Sequence, residues 1–336
     1  MAKIQFGSTG IRVEKNGFGA LPLQRIPVEE AAGLMRRAFE GGMEFFDTAR
    51  AYSDSEVKMG LAFEGVRQKV VIATKTHAKD GATLREHLKQ SLANLKTDYI
   101  DLYQFHNPSS VPRPGDGTGL YEAALEAKQK GYIRHIGITN HSLAVAKEAV
   151  KSGLYESLQF PFNYLSSPEE QALPALCAQK GMGFIAMKAM SGGLFRDGRA
   201  SFVHISGFAN VIPIWGIQRQ NELDEFLSLM KDPPALDDAM REVIEADKRS
   251  LQGEFCRGCG YCMPCPVGIE INNAARMSLM LRRAVTAQWT TPEWQEKMKK
   301  IENCLNCGAC ASKCPYHLDT PALLRRNYED FKTFIE

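Results

Sequence analysis

The sequence has no apolar run near the ~20 residues that a membrane-spanning helix needs, which argues against a helical membrane protein. It carries little net charge. Its 41 lysines and arginines stand against 39 aspartates and glutamates, leaving +2 over 336 residues. With no basic surplus, nothing points to nucleic acid or an anionic membrane surface as a partner. The opening "MAKIQFGSTG" lacks the basic-then-apolar pattern of a secretory signal. That predicts a cytoplasmic, reducing setting, where the nine cysteines are not expected to form disulfides. Also missing is the glycine-rich turn between a strand and a helix that marks an open-sheet nucleotide site. "GMGFIA" (181–186) comes before a strand instead of after one, so it reads as a helix stop and a strand start.

What is present is alternation. With 44% hydrophobic residues the chain can bury a full core, and its length suggests two domains. Eight short apolar runs read as strands: "FGAL" (18–21), "EFFDTA" (44–49), "VVIAT" (70–74), "YIDLYQF" (99–105), "HIGIT" (135–139), "SLQFPF" (157–162), "FIAMKA" (184–189) and "VIPIW" (211–215). Most are bounded by Gly, Asp, Asn or Pro, as expected of strands buried on both faces. Helical patterns sit between them. In "VEEAAGLMRRAFEGG" the apolar positions Val28, Ala31, Ala32, Met35, Ala38 and Phe39 share one face, and a glycine pair ends the run. "PEEQALPALCAQKG" reads as one helix kinked at Pro174. "KIQFGSTGIRVEKNG" reads as an opening hairpin. Eight strands interleaved with helices predict an α/β fold of the (β/α)8 TIM barrel type over residues 1–236. An open doubly wound sheet is the alternative. After "KDPP" (231–234) strand alternation stops, and residues 250–336 read as a small, mainly helical domain.

Barrels of this type carry their chemistry where strands end at the C-terminal face. Asp47, Lys75 and His106 each close a strand-like run, and Tyr52 follows Asp47 in the next loop. A free tyrosine, with pKa ~10, is a poor proton donor at neutral pH. A nearby ammonium lowers that value, and a carboxylate keeps the lysine charged and placed. A histidine beside the phenol can orient a carbonyl oxygen. Together the four form a site for protonating a carbonyl as hydride arrives.

The motifs "FFDTARAY", "IATKTH", "DYIDLYQFHNP", "GYIRHIGITN" and "LQFPFNYL", with the opening "FGSTGIRVEKNGFGALPL", resemble those of the aldo-keto reductases. The resemblance runs from residue 3 to about 230, in the family's order. It implies a barrel that binds NADP or NAD in an extended pose, with a small carbonyl or alcohol as substrate. By the same resemblance Tyr52 is the general acid, with Asp47, Lys75 and His106 as its partners, and Thr139, Asn140 and Gln159 hold the nicotinamide carboxamide. Met187, followed by Lys188, stands where the family places an aromatic ring against the nicotinamide. A methionine sulfur makes a softer ring contact. The "GIQRQNELDEF" segment is expected at the adenosine end. It has Glu222 where an NADPH-type arginine is usual, Arg219 nearby, and Glu225 followed by Phe226 where Glu-Asn is usual. That leaves NADP against NAD open.

Eight of the nine cysteines fall in two runs. "CRGCGYCMPCP" holds Cys256, Cys259, Cys262 and Cys265, and "CLNCGACASKCP" holds Cys304, Cys307, Cys310 and Cys314. The second run fits the bacterial ferredoxin spacing in full, and the first is one residue short in its last gap. Structural zinc typically uses paired C-x2-C units or Cys/His mixtures, so the expectation is two [4Fe–4S] clusters. By the two-cluster rule the last cysteine of each run serves the other cluster, which groups Cys256, Cys259, Cys262 and Cys314, and Cys304, Cys307, Cys310 and Cys265. The long helical spacer resembles helical two-cluster ferredoxin modules. Cys177 lies on an apolar helix face and reads as core.

The leading expectation is an NAD(P)-dependent carbonyl reductase or alcohol dehydrogenase with two appended clusters. The alternatives are an electron-transfer protein, or a converter linking NAD(P)H to a ferredoxin or other one-electron carrier. A converter has to split a hydride into single electrons, and no flavin motif is visible for that step.

Overall fold

The short continuous apolar runs, buried on both faces, set the architecture. In the computed structural model, which describes residues 3–251, 255–283 and 286–335, β1 (Ile4–Gln5) and β2 (Arg12–Val13) pair antiparallel as the opening hairpin. The next eight strands are β3 (Gly17–Gly19), β4 (Phe45–Asp47), β5 (Val71–Thr76), β6 (Ile100–His106), β7 (Ile133–Thr139), β8 (Ser157–Pro161), β9 (Gly183–Met187) and β10 (Val211–Gly216). All eight pair parallel, and β10 returns to β3 to close the barrel. Closure excludes the open sheet. Every expected strand is present to within two residues.

Inward positions stack in layers. Phe45, Ala73, Leu102, Ile185 and Ile212 form one buried layer with Phe6 and Val13 of the hairpin. Phe6 packs so tightly that a Cβ at Gly183 would lie 2.4 Å from its ring, so β9 has to begin with glycine. Burying each such large apolar side chain contributes roughly 1.5–3 kcal/mol. Two residues further along the same strands the inward positions are Asp47, Lys75, Gln104 and Met187. The apolar layer therefore carries the polar one directly above it.

The helices follow the sequence pattern with one correction. The helix at Val28–Glu40 buries Ala31, Ala32, Leu34, Met35 and Ala38. The segment read as one kinked helix is two, Pro168–Gln171 and Leu173–Gln179. A proline in the first turn of a helix has no N–H to lose, so Pro174 starts the second helix instead of bending a single one.

The chain divides into two compact units. One comprises residues 1–189 and 198–240, and the other residues 190–197 and 241–336. The second is helical, with segments at Ile271–Ala274, Met277–Arg283, Pro292–Lys299 and Thr320–Lys332 around buried Met277, Leu281, Met298, Ile301, Leu324 and Phe331. Buried Asn327 ties two of them together. Its Oδ1 accepts from the Ser278 N–H (2.8 Å) and its Nδ2 donates to Ala275 O (3.4 Å). Among the described residues, no helix is long and apolar enough to cross a membrane.

Candidate active site and cysteine-rich module

Asp47, Lys75 and His106 lie on β4, β5 and β6, and all three are buried. Lys75 Nζ donates to Asp47 Oδ1 at 2.7 Å and to Thr48 O at 2.6 Å. Burial opposes charge on both partners. It pushes the Asp47 carboxyl up and the Lys75 ammonium down, and each is countered by the other's charge. Tyr52 sits in the tight turn between β4 and the helix Ser55–Ala62, with its N–H bonded to Ala49 O at 2.9 Å. That turn brings its ring 5.1 Å from Lys75 Nζ and edge-on to His106, with ring centroids 5.8 Å apart. Burial first, then the charge of Lys75, holds His106 well below its ordinary pKa, so its ring is neutral at pH 7.

Two neighbours were not singled out in the sequence. Gln104, one inward position before His106, donates to Gln159 Oε1 at 3.0 Å, and Gln159 Nε2 lies 3.5 Å from Asp47 Oδ1. A polar residue at an inward position of an otherwise apolar strand was the available signal. His77 stacks on His106 with centroids 3.9 Å apart and planes 10° from parallel. Its place two residues after Lys75, just past the strand end, was the only clue.

Thr139, the last residue of β7, is the register partner of Gln159 in β8, and His106 pairs with Thr139. Asn140 also lies at this end. Its Nδ2 donates to Pro108 O (2.8 Å), and its Oδ1 accepts from the Ser142 N–H (2.8 Å). Met187 ends β9, and Lys188 follows with a left-handed φ of 55°. Glu222 Oε2 accepts from the N–H groups of Gln218 (2.8 Å) and Arg219 (3.1 Å), so its carboxylate caps the helix Gln220–Lys231. Arg219 Nη1 is 4.0 Å from that carboxylate. Glu225 lies against Gly198, where a Cβ would be 2.3 Å from Glu225 Oε1.

In the second unit, Cys265, Cys304, Cys307 and Cys310 line one cavity together with Cys262. Burial pushes the Cys256 and Cys262 thiols up, and neighbouring thiols add to it: Cys259 and Cys314 for Cys256, and Cys256, Cys259 and Cys310 for Cys262. The fold therefore brings the two runs together, with Cys262 and Cys265 of the first beside the second and Cys314 of the second near Cys256. Among the described residues no group of three His, Cys, Asp or Glu side chains gathers to hold a single metal ion. An all-thiol donor set divided between two runs suits iron–sulfur clusters. Cys177 is buried within the barrel unit.

Ionisable groups gathered at the strand ends of a closed parallel barrel, with a thiol-rich helical unit in the same chain, define a two-unit protein of the (β/α)8 barrel class with a ferredoxin-type domain. The chain belongs to the aldo/keto reductase family, whose model matches residues 4–206. Residues 255–319 match a 4Fe-4S dicluster domain. A Bacillus subtilis (strain 168) protein described as uncharacterized oxidoreductase YqkF is 33% identical over 190 residues, covering 52% of this chain and 61% of that protein. L-galactose dehydrogenase of Arabidopsis thaliana is 30% identical over 220 residues, covering 59% and 69%. This chain spans less than two thirds of several curated relatives, at 61% and 66% of the two Bacillus subtilis proteins. Among solved structures, aldo-keto reductase AKR11C1 from Bacillus halodurans (holo form) superposes with TM-score 0.63 and 25% identity, covering 73% of this chain and 96% of that one. An aldo-keto reductase from Klebsiella pneumoniae in complex with NADPH shares the fold, with TM-score 0.62, 18% identity and coverage of 75% and 98%.

Proposed function

We propose that the protein is a cytoplasmic, NAD(P)-dependent oxidoreductase that interconverts a small carbonyl compound and its alcohol, with two [4Fe–4S] clusters in the C-terminal unit. One observation carries this reading. Lys75 is buried, salt-bridged to Asp47 and close to both the Tyr52 ring and His106. That geometry primes a phenol to give up a proton. A nicotinamide cofactor, when bound, would supply or accept the hydride. The chain's own residues do the rest. The Tyr52 hydroxyl is placed to give its proton to the oxygen of a carbonyl substrate, and its phenolate to take that proton back from an alcohol. The Lys75 ammonium stabilises the phenolate left behind, and Asp47 keeps that ammonium charged despite its burial. Neutral His106 donates a hydrogen bond that orients the substrate oxygen.

The cofactor assignment is supported by buried polar atoms at the strand ends. Asp47 Oδ2, Gln104 Oε1 and Gln218 Oε1 have no hydrogen-bond partner among the described residues. Such atoms are costly unless a ligand completes them. Thr139, Asn140, Gln159 and Met187 would hold the nicotinamide, and Lys188, Arg219, Glu222 and Glu225 would lie towards the adenosine end. The clusters would be held by Cys256, Cys259, Cys262 and Cys314, and by Cys304, Cys307, Cys310 and Cys265, and would supply one-electron transfer. A second reading adds a one-electron carrier such as a ferredoxin as partner. The exposed Cys307 and the 66% exposed Leu305 beside it favour that reading, because a cluster held by Cys307 would have an edge at the surface.

Tyr52→Phe tests the leading reading. Turnover on carbonyl substrates should fall ~10²–10⁴-fold, the usual contribution of a general acid, while cofactor titration by fluorescence stays unchanged. Near wild-type turnover would remove Tyr52 from the proton-donor role.

A further inference from the structure

The segment that follows β9 in the chain belongs to the cysteine-rich unit. Residues 190–197 pack with residues 241–336, although they form part of a strand-to-helix crossover of the barrel. Their backbone is unusual. Ser191, Gly192 and Gly193 take left-handed φ values of 50°, 67° and 88°, and Lys188 just before them takes 55°. Non-glycine residues rarely adopt such angles unless surrounding contacts impose them. Arginines hold the carbonyls that follow Ser191. Arg276 Nη1 donates to Gly192 O at 2.9 Å, and Arg283 Nη1 donates to Leu194 O at 2.8 Å. Arg196, within the segment, donates to Arg283 O at 3.0 Å. Arg283 is itself held by Asp247 at 2.7 Å, with both side chains largely buried.

Arg276 also touches the first cysteine run. Gly258 lies between Cys256 and Cys259, has φ 63°, and sits so close that a Cβ there would be 2.8 Å from Arg276 Nη1. The Gly258 N–H in turn donates to Cys256 Sγ at 3.3 Å. On the other side, a Cβ at Gly192 would meet Arg276 Nη1 at 3.0 Å and Arg257 O at 3.5 Å. A continuous line therefore runs from the Cys256 sulfur through Gly258 and the Arg276 guanidinium to the Gly192 carbonyl. From there residues 189–191 lead back along the chain to Lys188, next to Met187 at the end of β9. On the barrel side Lys188 is anchored by its own carbonyl, which accepts from Asn163 Nδ2 at 3.0 Å.

We propose that Arg276 is a positioning residue that links the Cys256–Cys262 ligand loop to the segment after β9, so that filling the first cluster and binding a nicotinamide cofactor favour one another. The inference rests on the nicotinamide reading of the barrel given above. Its physical basis is simple. A ligand loop closed on a cluster holds Gly258 in place, Gly258 fixes the guanidinium, and the guanidinium fixes the Gly192 carbonyl. An empty loop releases that series of contacts, and the segment loses a charge-assisted hydrogen bond. By linkage the effect has to be reciprocal.

The experiment uses the full chain, prepared anaerobically with iron. NADPH and NADH are titrated by fluorescence before and after iron is removed with a chelator. Iron removal should weaken binding about tenfold, the scale of one charge-assisted hydrogen bond. Arg276→Gln in the iron-loaded protein should reproduce most of that loss, and Arg276→Lys, which keeps the charge without the planar fork, should fall between. In the iron-free protein Arg276→Gln should add little, because the line of contacts is already broken. Saturating cofactor should slow iron loss from the wild type to the chelator, which a purely structural role for Arg276 would not produce. Cofactor affinity that stays within twofold upon iron removal, or an iron-loaded Arg276→Gln protein that binds like the wild type, overturns the inference. If Arg276→Gln does not hold iron, the chelation rate of the wild type decides, and a rate unchanged by cofactor overturns the inference. Iron-loaded wild type that binds neither cofactor overturns the nicotinamide reading itself, and the inference with it.

Discussion

Replacing Asp47 with Asn changes one charge and almost no volume, and its consequences can be worked out from the geometry. Lys75 is 1% exposed and Asp47 4%, at 2.7 Å, so water cannot stand in for either partner. Breaking a buried pair by neutralising one member costs about 3–5 kcal/mol, because the remaining charge is left without compensation. In the variant, the lysine keeps the Thr48 carbonyl at 2.6 Å but loses its counter-charge. Its pKa, already lowered by burial, should fall further. The pH dependences of stability and activity then separate. Between the lowered folded value and the ordinary 10.5, the unfolded chain binds more protons at Lys75 than the folded one does. Stability of the variant should therefore rise with pH across that window. Activity should move the opposite way and recover towards acid pH, where the ammonium that supports the Tyr52 phenolate returns. The assays are denaturant unfolding of the barrel followed by circular dichroism, and turnover, both at a series of pH values. An Asp47→Asn variant within about 1 kcal/mol of wild type, or one whose stability and activity change with pH in the same direction, would refute the idea that this pair keeps the lysine charged.

Three further outcomes are expected. Cys314→Ser should lower iron content and perturb the first cluster, although Cys314 belongs by sequence to the second run, because it lies near Cys256; spectroscopic loss confined to the second cluster would contradict the crossed ligand sets. NADPH and NADH should differ in affinity by less than about a thousandfold, since a Glu222 carboxylate is set against the Arg219 cation there; fluorescence titration of both cofactors checks this. Gly183→Ala should destabilise the barrel by roughly 1–3 kcal/mol, because the new methyl group would meet the Phe6 ring at 2.4 Å in a closely packed layer; an unchanged unfolding midpoint would show that the hairpin moves freely.

Much of the site could be read in one dimension because a strand has a strict period of two. Phe45 and Asp47, Ala73 and Lys75, and Leu102 and Gln104 share faces by arithmetic alone, so polar residues that close apolar runs had to gather at one end of a barrel. The gaps between the cysteines carried equal weight, since a cluster constrains the chain locally. Residues whose role depends on a partner across the barrel were harder to read. Gln104 gains its meaning only from Gln159, 55 residues away. The stacking of His77 on His106 depends on how the β5–β6 pair directs its ends. The charge of Glu222 suggested a cofactor contact, but its position three residues after Arg219 lets it cap its own helix first.

The sequence by itself determined the strand count, the inward faces, the ionisable residues at the strand ends and the thiol-rich character of the C-terminal segment, because each of these follows from local period or spacing. Only the tertiary structure decided that the barrel closes, that Lys75 is sealed from water beside Asp47, and that residues 190–197 pack with the cysteine-rich unit. Those outcomes rest on contacts between residues tens to hundreds of positions apart. The crossover of residues 190–197 looks like any other barrel loop until Arg276 and Arg283 are seen bonded to its carbonyls. A hydrogen bond between a guanidinium and a backbone carbonyl leaves no mark on the side-chain pattern of the segment that accepts it, so no reading of that segment alone could have found it.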